Sequence, residues 1–448
     1  MVVRVCREDG CEVRLCDPCV RVCARARACV PCVSRLPPVS FYRYSPCVPC
    51  VSRLPPAMSV DALSIPEPSS SAAALAFHAA ANQSHGCAAV RELFAPLSCR
   101  HFTDEYFEQR HHLARGGALV GAGASLLRAP DVVRMATHWD FKIGVDHSQA
   151  RMLLPNSFSH DTDYADGDSV DGHAIAQALR SNRTVVLHNV ELYWRSIGML
   201  ALTLMRTFGV YSQANVYYSA AGLASAVHAH QDAQSVFIVQ CEGRKRWELF
   251  APPQRWRLRY NQRGKGGDTA PDAELSDRVD DVTLAPGDVL FVPRGMYHRT
   301  STLVPAMPAA PNATPTADSS SQPASLHVTI GVETDTDDWT WLALLRDAAT
   351  ALKLPDGQAR LEAAQWSDEA LRQALPLSLC RPSASVDPGT PLGAHWLSHA
   401  RDLLLQHLGA KIGAGELQRA LDGALRRRQD HVERKRLQVE QFMALSPA

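Results

Sequence analysis

Apolar and polar positions alternate with a period of two through the middle of the chain and recur with a helical period on either side. The run Ser235-Val236-Phe237-Ile238-Val239-Gln240 is β-branched and apolar, Glu242-Gly243 is a turn signal, and Lys245 to Phe250 is a second such run. Together they predict a hairpin. Asp288 to Val292 is a further strand, led in by Ala285-Pro286-Gly287 and followed by the bend Pro293-Arg294-Gly295-Met296-Tyr297. Trp139 to Val145, Thr184 to His188 and Ser325 to Ile330 also read as strands. Helical spacing shows in Phe102 to Arg110, with Thr103 or Asp104 as cap, and in Ile197, Leu200, Leu204 and Phe208. Beyond the strands, Trp339, Leu342, Leu345, Ala349 and Leu352 form one apolar stripe, capped by Asp335 to Asp338 and ending before Pro355. Leu397, Leu404 and Leu408, then Leu417 to Met443, continue at helical spacing. The class is α+β, with a central sheet structure, flanking helices and an all-helical C-terminal region.

The N-terminal part has neither period. Cys29-Val-Pro-Cys-Val-Ser-Arg-Leu-Pro-Pro38 recurs identically from Cys47 to Pro56, and nine of the thirteen cysteines lie before residue 51. Cys29-x-x-Cys32 and Cys47-x-x-Cys50 have the spacing of a structural zinc ribbon. The identical copy and the missing apolar period favour instead a disordered, low-complexity extension over 1–57, with Met58 as a candidate functional start. A Ser/Ala-rich linker over 58–98, with a short helix at Ala72 to Ala81, leads into the ordered part, 99–334. Residues 303–324 read as an inserted surface loop. Residues 335–448 are helical. Asp161 to Asp168 is a solvated loop, because no bidentate Glu closes it as a calcium site.

Lys and Arg total 46, as do Asp and Glu, so composition gives no footing for broad nucleic-acid binding. Arg426-Arg427-Arg428 and Arg434-Lys435-Arg436 are interleaved with Asp430 and Glu433, as on a solvated helix face. No run approaches the apolar length of a membrane span. The remaining cysteines are isolated, as in an intracellular protein with reduced thiols.

Candidate chemistry concentrates in the strand region. His230 and Asp232 are two apart, so in an extended strand they project to one side. His298, after the Asp288 strand, is the best third donor. Two histidines and one carboxylate form the facial set that holds Fe(II) with positions left open, whereas zinc more often recruits a further nitrogen or sulfur. A rival register uses His228 with His230. His327 reads as a core or lumen histidine and Cys241 as a small buried hydrophobe.

The run Asn215-Val216-Tyr217, His230-Gln231-Asp232, Phe237 to Gln240, Glu242-Gly243-Arg244-Lys245-Arg246-Trp247, Pro286-Gly287-Asp288, Pro293-Arg294-Gly295, His298 and Ser325 to Thr329 resembles the JmjC cupin oxygenases of the ribosomal-oxygenase group. The resemblance covers roughly Cys99 to Pro376. It implies a double-stranded β-helix (jelly-roll) barrel and an Fe(II)- and 2-oxoglutarate-dependent dioxygenase that hydroxylates a His or Arg side chain of a ribosomal or translation-related protein. It also implies His230, Asp232 and His298 as metal ligands, Lys245 as ion-pair partner of the 2-oxoglutarate distal carboxylate, and Asn215 and Thr329 as further cosubstrate contacts, with dioxygen as co-reactant. Residues 335–448 resemble the family's helical dimerisation module, with Asp368 to Pro376 as its opening, so a homodimer is expected. The nucleus, nucleolus or cytoplasm is the expected compartment. The loop Ala220 to Ala229 lacks the Gln-Gly-Phe-like run usual before the metal strand, and the family's C-terminal winged helix has no obvious counterpart. Histone lysine demethylation and a catalytically inactive cupin binding module are the competing readings.

Overall fold

A computed structural model describes residues 3–7, 10–14, 90, 93–94, 97–116, 126–144, 150–157, 163–251, 277–303, 323–334, 339–380 and 386–445. The chain divides into two units, Met1–Ala62 and Leu63–Ala448. In the first, β1 (Val3–Arg7) and β2 (Gly10–Arg14) pair antiparallel. The cysteine repeats, the Ala72 to Ala81 helix and most of the 303–324 insertion lie outside the described residues.

The second unit is built on two antiparallel sheets. The larger has the order β3 (His112–Ala114), β11 (Val289–Val292), β8 (Ser235–Glu242), β13 (Ser325–Val332), β6 (Ser212–Ser219), β5 (Thr184–Leu187), β4 (Ala150–Leu153). The smaller has the order β10 (Arg278–Leu284), β9 (Lys245–Phe250), β12 (Tyr297–Ser301), β7 (Val227–His230). The fold is the expected jelly-roll cupin barrel. Strand alternation sorts the side chains. Phe237, Val239, Leu326, Val328 and Ile330 join the main core shared with the helices. Val236 and Ile238 of β8 pack with Trp247 and Leu249 of β9 in a second cluster between the sheets.

The hairpin expected over 235–250 does not form. β8 pairs with β11 and β13, while β9 pairs with β10 and β12, so the chain changes sheets between them. Local pattern signals a turn at Gly243 but not where the next strand pairs. Gly243 sits at φ +63°, and a Cβ there would lie 2.3 Å from the Ala324 carbonyl oxygen. Only glycine passes this corner without strain. Gly243→Ala is expected to cost about 2–4 kcal/mol of stability, from a strained φ plus a backbone clash; a denaturant midpoint equal to that of the parent would refute it.

Helices α1 (Cys99–Glu105), α2 (Ala129–His138), α3 (Gly172–Arg180) and α4 (Arg195–Phe208) come before or between the strands. Helix α1 is capped by Ser98, whose side chain accepts from His101 N–H, rather than by Thr103 or Asp104. The aromatic rings of Phe102, Phe208, Phe237 and Phe291 seat α1 on the large sheet, with Phe102 4.9 Å from Phe291 and 5.9 Å from Phe237. Burying each such ring contributes roughly 1.5–3 kcal/mol. Of the strand expected over Trp139 to Val145, the described residues 139–144 make only isolated bridges, Lys142 to Ser169 and Ile143 to Ala150; Val145 lies outside the described residues.

After the barrel come α5 (Trp341–Ala351), α6 (Gly357–Ala364), α7 (Leu377–Cys380), α8 (Pro391–Leu408) and α9 (Ala414–Leu445). Thr340, not the 335–338 acidic run, caps α5; its side chain accepts from Ala343 N–H. Residues 335–338 are outside the described residues. Helix α9 packs Val439 against Ala201, Leu202 and Met205 of α4, so these helices share the barrel's unit. Arg428 is buried and pairs with Asp347 of α5 at 2.8 Å, so part of the basic run is a packing contact. Cys99 is disulfide-bonded, contrary to the expectation of reduced thiols there. Cys241 and Cys380 are free and buried. Among the described residues no helix is long and apolar enough to cross a membrane.

Candidate metal centre

β7 and β12 pair antiparallel with His230 directly opposite His298. Residues facing each other across a ladder lie about 4.5–5.5 Å apart, so the register brings the two imidazoles together; their ring centroids are 4.2 Å apart. Asp232 is not in the strand. It lies two residues past the end of β7, in the link to β8, where its carbonyl accepts from Gly295 N–H at 2.9 Å. Its carboxylate turns back between the histidines, Oδ1 being 3.9 Å from His230 Nε2 and Oδ2 3.6 Å from His298 Nε2. One donor atom from each residue lies within 4.8 Å of the others, and no other such group of His, Cys, Asp and Glu occurs among the described residues. The histidines are buried and Asp232 is half-buried. His298 Nδ1–H donates to the Met296 carbonyl at 3.2 Å. That bond sets the tautomer that leaves the Nε2 lone pair facing Asp232. The rival His228 register rests on a side chain outside those described.

Lys245 opens β9 and is 1 % exposed. Its ammonium donates to Ser219 Oγ at 2.9 Å, and Ser219 also accepts from Thr184 Oγ1 at 3.1 Å. No carboxylate pairs with Lys245 among the described residues. Burial pushes its pKa from the usual lysine range down to about 7. The ammonium also lies 6.0 Å from the centroid of the Tyr217 ring, but a buried cation with a hydroxyl and a ring face as partners is costly unless an anion joins it. The position differs from the hairpin geometry expected for it: β9 pairs with the strand that carries His298, not with β8.

The two regions share one interior. The Trp247 ring lies 5.5 Å from His298 and 5.6 Å from His327, and His327 stacks on Tyr217 at 5.0 Å. Burial, and then the Lys245 charge, hold the His327 pKa well below its usual value; by position it stands outside the group formed by His230, Asp232 and His298. Asn215 and Thr329 sit opposite each other across β6 and β13. Asn215 Oδ1 faces His188 Nδ1 at 3.2 Å and accepts from Asn189 N–H at 3.4 Å. Sequence reasoning gave no role to Ser219, Tyr217 or Trp247. Strand parity would have found the first two, since Asn215, Tyr217 and Ser219 alternate along β6. Burial pushes the Cys241 thiol up to about 12, in keeping with an inert packing residue.

Residues 199–320, which include His230, Asp232 and His298, match the family model described as a JmjC domain. The chain's likenesses fall among ribosomal oxygenases and NO66-type proteins. Ribosomal oxygenase 2 of Rattus norvegicus is 31% identical over 119 residues, 27% of this chain and 24% of the relative. The bifunctional lysine-specific demethylase and histidyl-hydroxylase NO66 of Dictyostelium discoideum is 26% identical over 220 residues, 46% of this chain and 38% of the relative. The chain thus spans well under half the length of these curated relatives. Among solved structures, YcfD, a ribosomal oxygenase from Escherichia coli in complex with cobalt and 2-oxoglutarate, aligns over 70% of this chain and 68% of that chain, at 14% identity and a TM-score of 0.35.

Proposed function

We propose that this chain is an Fe(II)- and 2-oxoglutarate-dependent oxygenase that hydroxylates a protein side chain, a His or Arg of a ribosomal protein being the expected target. The observation that carries the reading is the buried Lys245, without a carboxylate partner among the described residues, in the same interior as the His230, Asp232 and His298 cluster. The donor chemistry fits the ion: two imidazole nitrogens and one carboxylate oxygen suit Fe(II) and leave coordination positions for a cosubstrate. His230, Asp232 and His298 would hold it. With Fe(II) and 2-oxoglutarate bound, the centre supplies oxidation of a C–H bond to C–OH by dioxygen, coupled to decarboxylation of 2-oxoglutarate to succinate.

The remaining work falls to the chain's own groups. Met296 carbonyl keeps the His298 ring oriented. Ser219 aims the Lys245 ammonium, which meets the cosubstrate's distal carboxylate as a point charge. Trp247, Tyr217 and His327 wall the space between and exclude water, which strengthens that pairing. Asn215 and Thr329 offer polar contacts further along the same wall, on the strands that carry Tyr217 and His327.

The test is incubation of the full chain with Fe(II), 2-oxoglutarate and ribosomal-protein peptides, following succinate and peptide mass. The expected product gains one oxygen. The NO66-type relatives carry a demethylase name, so methylated histone peptides belong in the same assay, where loss of methyl groups would move the assignment to demethylation. Absence of succinate above the metal-free control with every peptide would sink both.

A further inference from the structure

We propose that Glu108, Arg294 and Ser235 form a positioning relay that holds Asp232 and His298 in register; this rests on the reading of His230, Asp232 and His298 as metal ligands. Glu108 follows α1 with φ +62°, a left-handed conformation uncommon outside glycine and one that persists where the surroundings over-determine it. The surroundings are on both sides of its carboxylate. Oε1 accepts from Ser235 Oγ at 2.8 Å, and Oε2 accepts from Arg294 Nε–H at 2.6 Å. Ser235 Oγ in turn accepts from the Arg294 backbone N–H at 3.2 Å. The Arg294 side chain is 1 % exposed and also donates to the Arg372 carbonyl at 2.6 Å.

Each contact of this triangle ends beside a metal-facing residue. Ser235 begins β8, three residues past Asp232. Arg294 sits in the turn whose next residue, Gly295, donates its N–H to the Asp232 carbonyl, and whose following residue, Met296, accepts from the His298 ring. One carboxylate therefore ties the loop that carries Asp232 to the turn that orients His298. The Glu108 turn is itself seated by Phe107, which stacks on Phe208 at 5.1 Å. A buried ion pair is a weak device for stability alone, since apolar replacements often serve as well. Outer contacts that orient metal ligands typically set 10–100-fold of metal affinity. Glu108 also lines a cavity of about 850 Å³ between α1, the end of α4 and residues 373–377.

The test uses the full chain with Co(II) as probe, read by titration calorimetry and by the visible ligand-field spectrum, beside the melting temperature of the metal-free protein. Glu108→Gln is expected to weaken Co(II) binding by about 10–100-fold and to change the spectrum, with Glu108→Asp recovering part of both. Glu105→Gln, which removes a surface pair with Arg110, should change neither. A Glu108→Gln protein with a lowered melting temperature but parental Co(II) affinity and spectrum would show a merely structural contact and overturn the proposal. Should Glu108→Gln fail to fold, Ser235→Ala, which removes both hydrogen bonds of the Ser235 hydroxyl and keeps the Glu108–Arg294 ion pair, decides by the same readouts. His230→Ala separates the two levels. If it leaves Co(II) binding of the parent protein undiminished, the metal centre itself is misplaced and the relay falls with it.

Discussion

Replacing Lys245 with methionine is expected to weaken 2-oxoglutarate binding by about two to four orders of magnitude while leaving the folded state as stable as before or more so. The two effects have one origin. A buried ammonium with Ser219 as its hydrogen-bond partner carries an uncompensated desolvation cost, and methionine fills the same space without it. When a dicarboxylate enters, the missing cation leaves a carboxylate unpaired in a dry site, which costs about 3–5 kcal/mol. A lysine kept for structure would behave oppositely, destabilising the fold when removed. Calorimetric titration of 2-oxoglutarate into Mn(II)-loaded protein, beside denaturant melts, reads both quantities. Equal affinities in parent and variant would end the cosubstrate assignment.

The same lysine sets a pH dependence. Burial holds its pKa at about 7, and the protonated form is the one that pairs with a carboxylate. Affinity for 2-oxoglutarate should be flat below that pH and fall toward tenfold per unit above it, because each further unit removes nine-tenths of the remaining ammonium in the free protein. Lys245→Arg keeps its charge throughout and should flatten the profile. A parent profile that stays level from pH 6 to 9 would contradict the assignment.

His230→Ala is the second large effect. Outer-contact substitutions already cost about 10–100-fold in metal affinity, so loss of one of three ligands is expected to exceed about 100-fold and to bring turnover to background. The thermal signature is separable from activity. Metal at a hundred times its Kd stabilises a folded protein by about 2.7 kcal/mol, and that gain should vanish in the variant while the metal-free melting temperature stays close to the parent's. A full metal-dependent shift in His230→Ala would place the ion elsewhere.

Much of this centre could be read before any fold was known, and the particular residues show how far. Ser325 to Thr329 sorts into lumen and core faces by parity, because neighbours along one strand are set by its period; the same period does not describe His230 and Asp232, since Asp232 lies beyond the end of β7. Helices α4, α5, α8 and α9 were visible for the same reason, at the helical period. The C-terminal stripe was found even though Thr340 replaces the acidic run as its cap. What local pattern mistook is equally consistent. Two strands on either side of Gly243 look like a hairpin in sequence, and only pairing with β10, β11, β12 and β13 sends them to different sheets. Glu108 had no signal, since its partners Ser235 and Arg294 are far along the chain.

The amino-acid order by itself determined the long central strands, the apolar faces of the longer helices and which donor types are present, because each depends on neighbours within a turn or two of backbone. The tertiary structure alone decided that His298 stands opposite His230, that Asp232 turns back between them from beyond the strand end, and that Lys245 is dry with a hydroxyl rather than a carboxylate beside it. Those are properties of sheet register and burial. They arise when distant segments pair and exclude water, and no local period records them.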